Sequence, residues 1–189
     1  MPDTAVLVID KVGEDGAVLE PVENRTKFIS QCGVLVRDNL PISIREWHKP
    51  KRDDGSVTYV DERSKDDLWN KLMVNFTLPP DLEDAEKLTV KSWTFKKMAT
   101  QFATYKKNLW STYKNKKKVP TFTGALEKQK DHWAEFKAYR ESAEAEELSA
   151  KNKANAAKNL HHHVLGSGGC YTVFLFSLQL QVGNYVLTC

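Results

Sequence analysis

Acidic side chains are missing from one long stretch of this chain. Between residues 87 and 118 there are ten lysines and neither Asp nor Glu, although across all 189 residues Lys+Arg 28 nearly balances Asp+Glu 25. The whole protein is therefore not strongly basic, with a net charge of +3, and its basicity is local. Cysteine is also scarce. Cys32, Cys170 and Cys189 are an odd, widely spaced set, which excludes a disulfide framework. The opening Met1-Pro2-Asp3-Thr4 lacks the basic and then apolar pattern of a secretory leader, so a reducing compartment is expected. Long apolar runs are lacking too. The strongest, residues 172–180, is broken by Gln179, Gln181, Gly183 and Asn184, well short of the roughly 18–20 residues a membrane span needs. Recurring strand signals and internal repeats are absent. The glycine-rich residues 166–169 have neither the following Lys nor the preceding strand of a phosphate-cradling loop.

What is present is helical patterning. Phe28, Cys32, Leu35 and Val36 fall at the i, i+4, i+7, i+8 spacing of a buried face, which predicts a helix over residues 24–38 with Asn24 as N-cap. Pro41 ends it, and Ile42, Ile44 and Trp47 suggest an extended segment. Residues 49–55 read as a charged turn. A second helix is expected from Ser64, with Asp66 and Asp67 in its first turn and Leu68, Trp69, Leu72, Met73 and Phe76 facing inward. Pro79-Pro80 separates it from a long basic helix over about residues 82–116. A fourth helix turns Leu126, Trp133, Phe136 and Tyr139 inward and leads into an Ala- and Glu-rich helix over residues 142–159. Its glutamates come first and its lysines last, and Glu147 and Lys151 are placed for an i,i+4 pair. The expected fold is all-α, an irregular bundle of four to five helices with a long central basic helix and poorly ordered termini. Residues 1–23 are expected as a weakly ordered leader, 24–165 as the helical domain, and 166–189 as a glycine-rich stop with an uncharged tail.

On the long helix, Trp93, Phe95, Phe102, Tyr105, Trp110 and Tyr113 recur at helical intervals, so core packing accounts for them better than stacking on bases. The lysines on its flanks and in the following loop are the functional candidates: Lys91, Lys96, Lys97, Lys106, Lys107, Lys114, Lys116, Lys117 and Lys118. A solvated helix face normally carries both signs of charge. A lysine surface with no local acid calls for a polyanion, because pairing with phosphates releases counterions whatever the base sequence. Without arginines at bidentate positions, phosphate contact is favoured over base reading. Lys114 to Pro120 also fits a nuclear-import signal, and Lys49-Pro50-Lys51-Arg52 is a weaker second one.

Three blocks carry a family resemblance: FISQCGVLVRDNLPISIREW at residues 28–47, VKSWTFKKM at 90–98 continuing to Tyr113, and KDHWAEF at 130–136 followed by NKANAAK at 152–158 and HHHVLGSGG at 161–169. Together they resemble the plant transposase family of the Ptta/En/Spm (CACTA-type) group, over about residues 22–169. The resemblance implies a role in DNA transposition, with DNA binding by a helical region, and supplies no catalytic residues for this segment. After Gly169 the chain departs from the family, with Cys170-Tyr171 and an apolar run in place of a Pro-Lys-Trp-like stretch.

Catalytic chemistry has little footing in these residues. Transposition would need three carboxylates converging on two metal ions. Asp53, Asp54, Asp61, Asp66, Asp67, Asp81, Glu83 and Asp84 fall instead in loops and helix first turns, where solvation and capping explain them. His161, His162 and His163 are consecutive and point apart on a helix, so they cannot share one zinc ion. Cys32 reads as a small core residue. No catalytic residue, metal site or cofactor is therefore assigned. The expectation is a nuclear, transposon-derived protein that is not an enzyme and has the DNA phosphate backbone as its partner. The competing expectation is a helical interaction module that recruits a catalytic transposase subunit or pairs with itself, an aromatic groove taking a partner helix.

Overall fold

The computed structural model describes residues 6–51, 55 and 57–158. Expectations for Arg52, Asp53, Asp54, the three consecutive histidines, Cys170, Cys189, the glycine-rich stop and the apolar tail lie outside the described residues. The expected helical class holds. Helix α1 covers Val22–Asn39, α2 Glu62–Met73, α3 Asp84–Lys116, α4 Gln129–Arg140 and α5 Ala143–Ala157, with a short 3-10 turn at Gly124–Leu126.

Residues 6–20 are built into the domain, which corrects the weakly ordered leader for that stretch and moves the domain boundary ahead of residue 24. Strand β1 (Leu7–Val8) pairs in parallel with β4 (Phe76–Thr77), just after α2. Strands β2 (Lys11–Val12) and β3 (Val18–Glu20) form an antiparallel hairpin. Ile9 and Val18 are completely buried in the main core. Only one or two apolar residues per strand do this work, too few to leave a strand pattern in the sequence. Asn24, expected to cap α1, lies inside it, and its side-chain amide donates to the Val8 carbonyl at 2.8 Å. Pro21 takes the N-cap position instead.

Helix α2 starts before Ser64 because the Asp61 carboxylate accepts the Ser64 backbone N–H at 2.6 Å and satisfies an otherwise orphaned donor. That bond holds the Asp61 carboxyl below the usual range. Helix α3 is fixed by a capping box between Glu83 and Glu86, a reciprocal pair that satisfies two backbone donors. At its far end Lys117 adopts the left-handed conformation, and its N–H returns to the Tyr113 carbonyl at 2.7 Å.

The core has two parts along α3. Phe28, Cys32, Val36, Leu68, Leu72, Met98 and Phe102 pack α1 and α2 against its first half. Burial pushes the Cys32 thiol up to about 12, so it stays a neutral space-filler. Ile42, Trp133 and Phe136 form the second part, with Leu109, Trp110, Tyr113 and Phe122 around them. Tyr113 meets Trp133 edge-on at 5.4 Å, and Trp110 meets Phe136 at 6.5 Å. All six aromatics singled out on the long helix pack into one of these clusters, so they hold α3 in place. Helix α5 belongs to a separate compact unit beginning at Ala143, with Glu144 and Glu146 in its first turn, where carboxylates suit the helix dipole.

Candidate nucleic-acid interface

Helix α3 has 33 residues, a rod of roughly 50 Å at 1.5 Å per residue. Its buried side is set by Val90, Thr94, Met98 and Phe102. Lys96, Lys107 and Lys114 follow one another at intervals of 11 and 7 residues, close to three and two full helical turns. They therefore share one line, opposite the buried side, over ~27 Å. All three are exposed, and exposed Thr100, Ala103 and Ser111 fall between them. Lys116, Lys117 and Lys118 extend the charge past the helix end and are exposed as well. Among the described residues, none of these six lysines takes part in an ion pair.

The other candidates are placed differently. Lys91 is half-buried, pairs with Asp66 of α2 at 2.7 Å and lies 5.7 Å from the Phe95 ring centre. Lys106 turns inward, donating to the Ile44 carbonyl at 2.6 Å and the Arg45 carbonyl at 3.2 Å, with its ammonium 4.5 Å from the Phe102 ring centre. Lys97 lies 5.0 Å over the Trp93 ring and borders a cleft between α1 and α3. Lys87 is held by Asp84 at 3.1 Å. Lys91 and Lys106 are thus engaged from within the protein. The acid-free window could not reveal this, since Asp66 and the carbonyls of residues 44 and 45 lie far outside it in sequence.

Burial drives the Lys106 ammonium down to about 8; Glu46 opposes the shift and the like charge of Arg140 adds to it. In the unfolded chain this group keeps its proton to near 10.4. Between those values the unfolded state binds the extra proton, so this residue's contribution to stability rises with pH from about 8 upward. Chemical unfolding of the native chain and of Lys106→Met between pH 7 and 10 checks this. The native chain is expected to gain stability relative to the variant across that range. A constant difference would contradict the assignment.

Sequence reasoning missed Arg37. It reaches the same cleft from α1, together with Thr104, Tyr105 and Asn108 of α3. No spacing rule links residue 37 to residue 97; only the packing of α1 on α3 brings them together.

Several carboxylates have structural employment: Asp61 caps α2, Glu83 caps α3, and Asp66 and Asp84 pair with lysines. Among the described residues there is no group of three or more side chains able to hold a metal ion. No described helix is long and apolar enough to cross a membrane.

What this arrangement can do is present a row of exposed ammonium groups to an extended anion. Comparison with protein-family models, curated proteins and solved structures finds no match for the chain.

Proposed function

We propose that this chain is a transposon-derived protein of the plant transposase group that docks on DNA in the nucleus, without itself catalysing strand transfer. Docking runs along the outer line of α3 through Lys96, Lys107 and Lys114 and continues onto Lys116, Lys117 and Lys118. The observation that carries the reading is that line: exposed lysines on one side of a rigid helix, in no ion pair among the described residues. Each lysine that meets a phosphate releases counterions, and with no arginine on α3 phosphate contact is favoured over base reading. Sequence discrimination is accordingly weak. Lys91 and Lys106 are left out of the contact set because their ammonium groups already have internal partners.

Converting Lys96, Lys107 and Lys114 together to Gln tests the reading. Affinity for a duplex of mixed sequence is expected to fall by about 30-fold at moderate salt. Converting Lys91 to Gln should leave it within about twofold. Equal affinities of the triple variant and the native chain would remove α3 from the interface.

One observation favours a second reading, an interaction module for another protein. Trp69, Met73, Leu78 and Leu88, together with Asp84, Lys87 and Lys91, line a groove of about 560 Å³ at the junction of α2 and the start of α3. Leu88 is 67% exposed and Val74, at the end of α2, is 71% exposed. A partner's amphipathic helix would fit such a groove. Leu88→Glu separates the two readings: it should abolish partner capture and leave duplex affinity nearly unchanged.

A further inference from the structure

We infer that the cleft between α1 and α3 seats a single phosphate group, held between Arg37 and Lys97. The cleft measures about 390 Å³, within the range of small-molecule sites. Arg37, Lys97, Thr100, Thr104 and Asn108 supply its polar lining, and none of its lining residues is acidic. Among the described residues neither Arg37 nor Lys97 forms an ion pair. An arginine presents a planar fork that matches two phosphate oxygens, and a lysine opposite it supplies a point charge. The threonine hydroxyls and the Asn108 amide supply further polar groups at the same rim.

Tyr105 shapes the wall without meeting the ligand, because its hydroxyl oxygen is enclosed by protein and has no hydrogen-bond partner. Desolvation holds its phenol above the usual value, with Arg37 opposing and Asp38 adding to the shift. The floor is firm: the Gln101 amide donates to the Ile29 carbonyl at 2.8 Å, and Gly33 leaves room for it, since a Cβ there would overlap the Gln101 side-chain oxygen.

The phosphate has two sources, a free phosphate compound or the backbone of a nucleic acid docked on the adjoining lysine line. The first does not depend on the DNA reading; the second rests on it. The test is a titration of the full isotope-labelled chain followed by NMR, first with inorganic phosphate and then with a mixed-sequence duplex. Sodium chloride at matched ionic strength is the blank. Phosphate is expected to move the Arg37 Nε–H and Asn108 side-chain amide signals saturably. Arg37→Gln should abolish that response, and Lys97→Gln should weaken it several-fold.

If the duplex moves the same signals and Arg37→Gln lowers duplex affinity about tenfold, the backbone is the source. If only inorganic phosphate moves them, the site stands and its ligand is a free phosphate compound. If neither moves them beyond the chloride blank, the inference is wrong, whatever happens on the lysine line. Unchanged signals from the rest of the chain in both variants show that the fold is intact.

Discussion

Replacing Gln129 by Leu is expected to remove about 4 kcal/mol of stability, from two buried backbone groups and one part-buried one at ~1–3 kcal/mol each when left unsatisfied. Gln129 is completely buried at the start of α4. Its oxygen accepts the Ile42 N–H at 3.0 Å, and its amide nitrogen donates to the carbonyls of Arg37 at 2.7 Å and Leu40 at 2.8 Å. The need originates at Pro41. A helix would satisfy the Arg37 carbonyl with the N–H of the residue four places on, and proline has none. One side chain from α4 supplies that bond, the neighbouring carbonyl's, and an acceptor for the first N–H beyond the proline. Leucine keeps the volume but none of the bonds. Glutamate restores the acceptor alone and buries a charge, so it should be at least as damaging at neutral pH. Urea unfolding measures both. A loss under 1 kcal/mol for Gln129→Leu would mean that the end of α1 does not rely on α4.

The second large effect is at Gly16. Here the hairpin of β2 and β3 turns with φ +81°, and a Cβ would lie 2.5 Å from the Thr89 carbonyl carbon and 2.8 Å from the Val90 nitrogen. Those atoms belong to the backbone of α3 and cannot step aside. Gly16→Ala is therefore expected to cost about 3 kcal/mol, combining left-handed backbone strain with overpacking. Gly124→Ala is the control, since Gly124 also has positive φ, +59°, but nothing within 4 Å of the added carbon. It should cost only about 1 kcal/mol, the conformational part alone. Thermal unfolding of the two variants gives the comparison. Equal losses would mean that the hairpin is not seated on α3.

How much could be read beforehand follows from which signals are local. Periodicity reveals a helix when its apolar face repeats, as with Phe28, Cys32 and Val36 or with Trp133 and Phe136, and these residues are buried as expected. Helix starts were less legible. Asn24 has the right chemistry for a cap and Ser64 is the expected start of α2, but Pro21 and Asp61 hold the N-cap places, three residues earlier in each case. The β1–β4 pairing links residues about seventy positions apart through two residues per strand, which is too little pattern to detect. Gln129 escaped because a polar residue at a helix start looks solvated; its role depends on carbonyls near residue 40. The lysine line was only half visible. Charge density flags residues 87–118 as a whole, whereas partners elsewhere decide which ammonium groups are spent, as Asp66 does for Lys91 and the 44–45 carbonyls do for Lys106.

Anion docking by the outside of α3 is tested most directly by how duplex affinity responds to salt. For the native chain, a double-logarithmic plot of affinity against sodium chloride is expected to be a straight line with a slope of about −3 to −5, as three to six lysines release their counterions. The variant lacking Lys96, Lys107 and Lys114 should lose about 3 from that slope. A native slope near zero, or the same slope in both proteins, would contradict it.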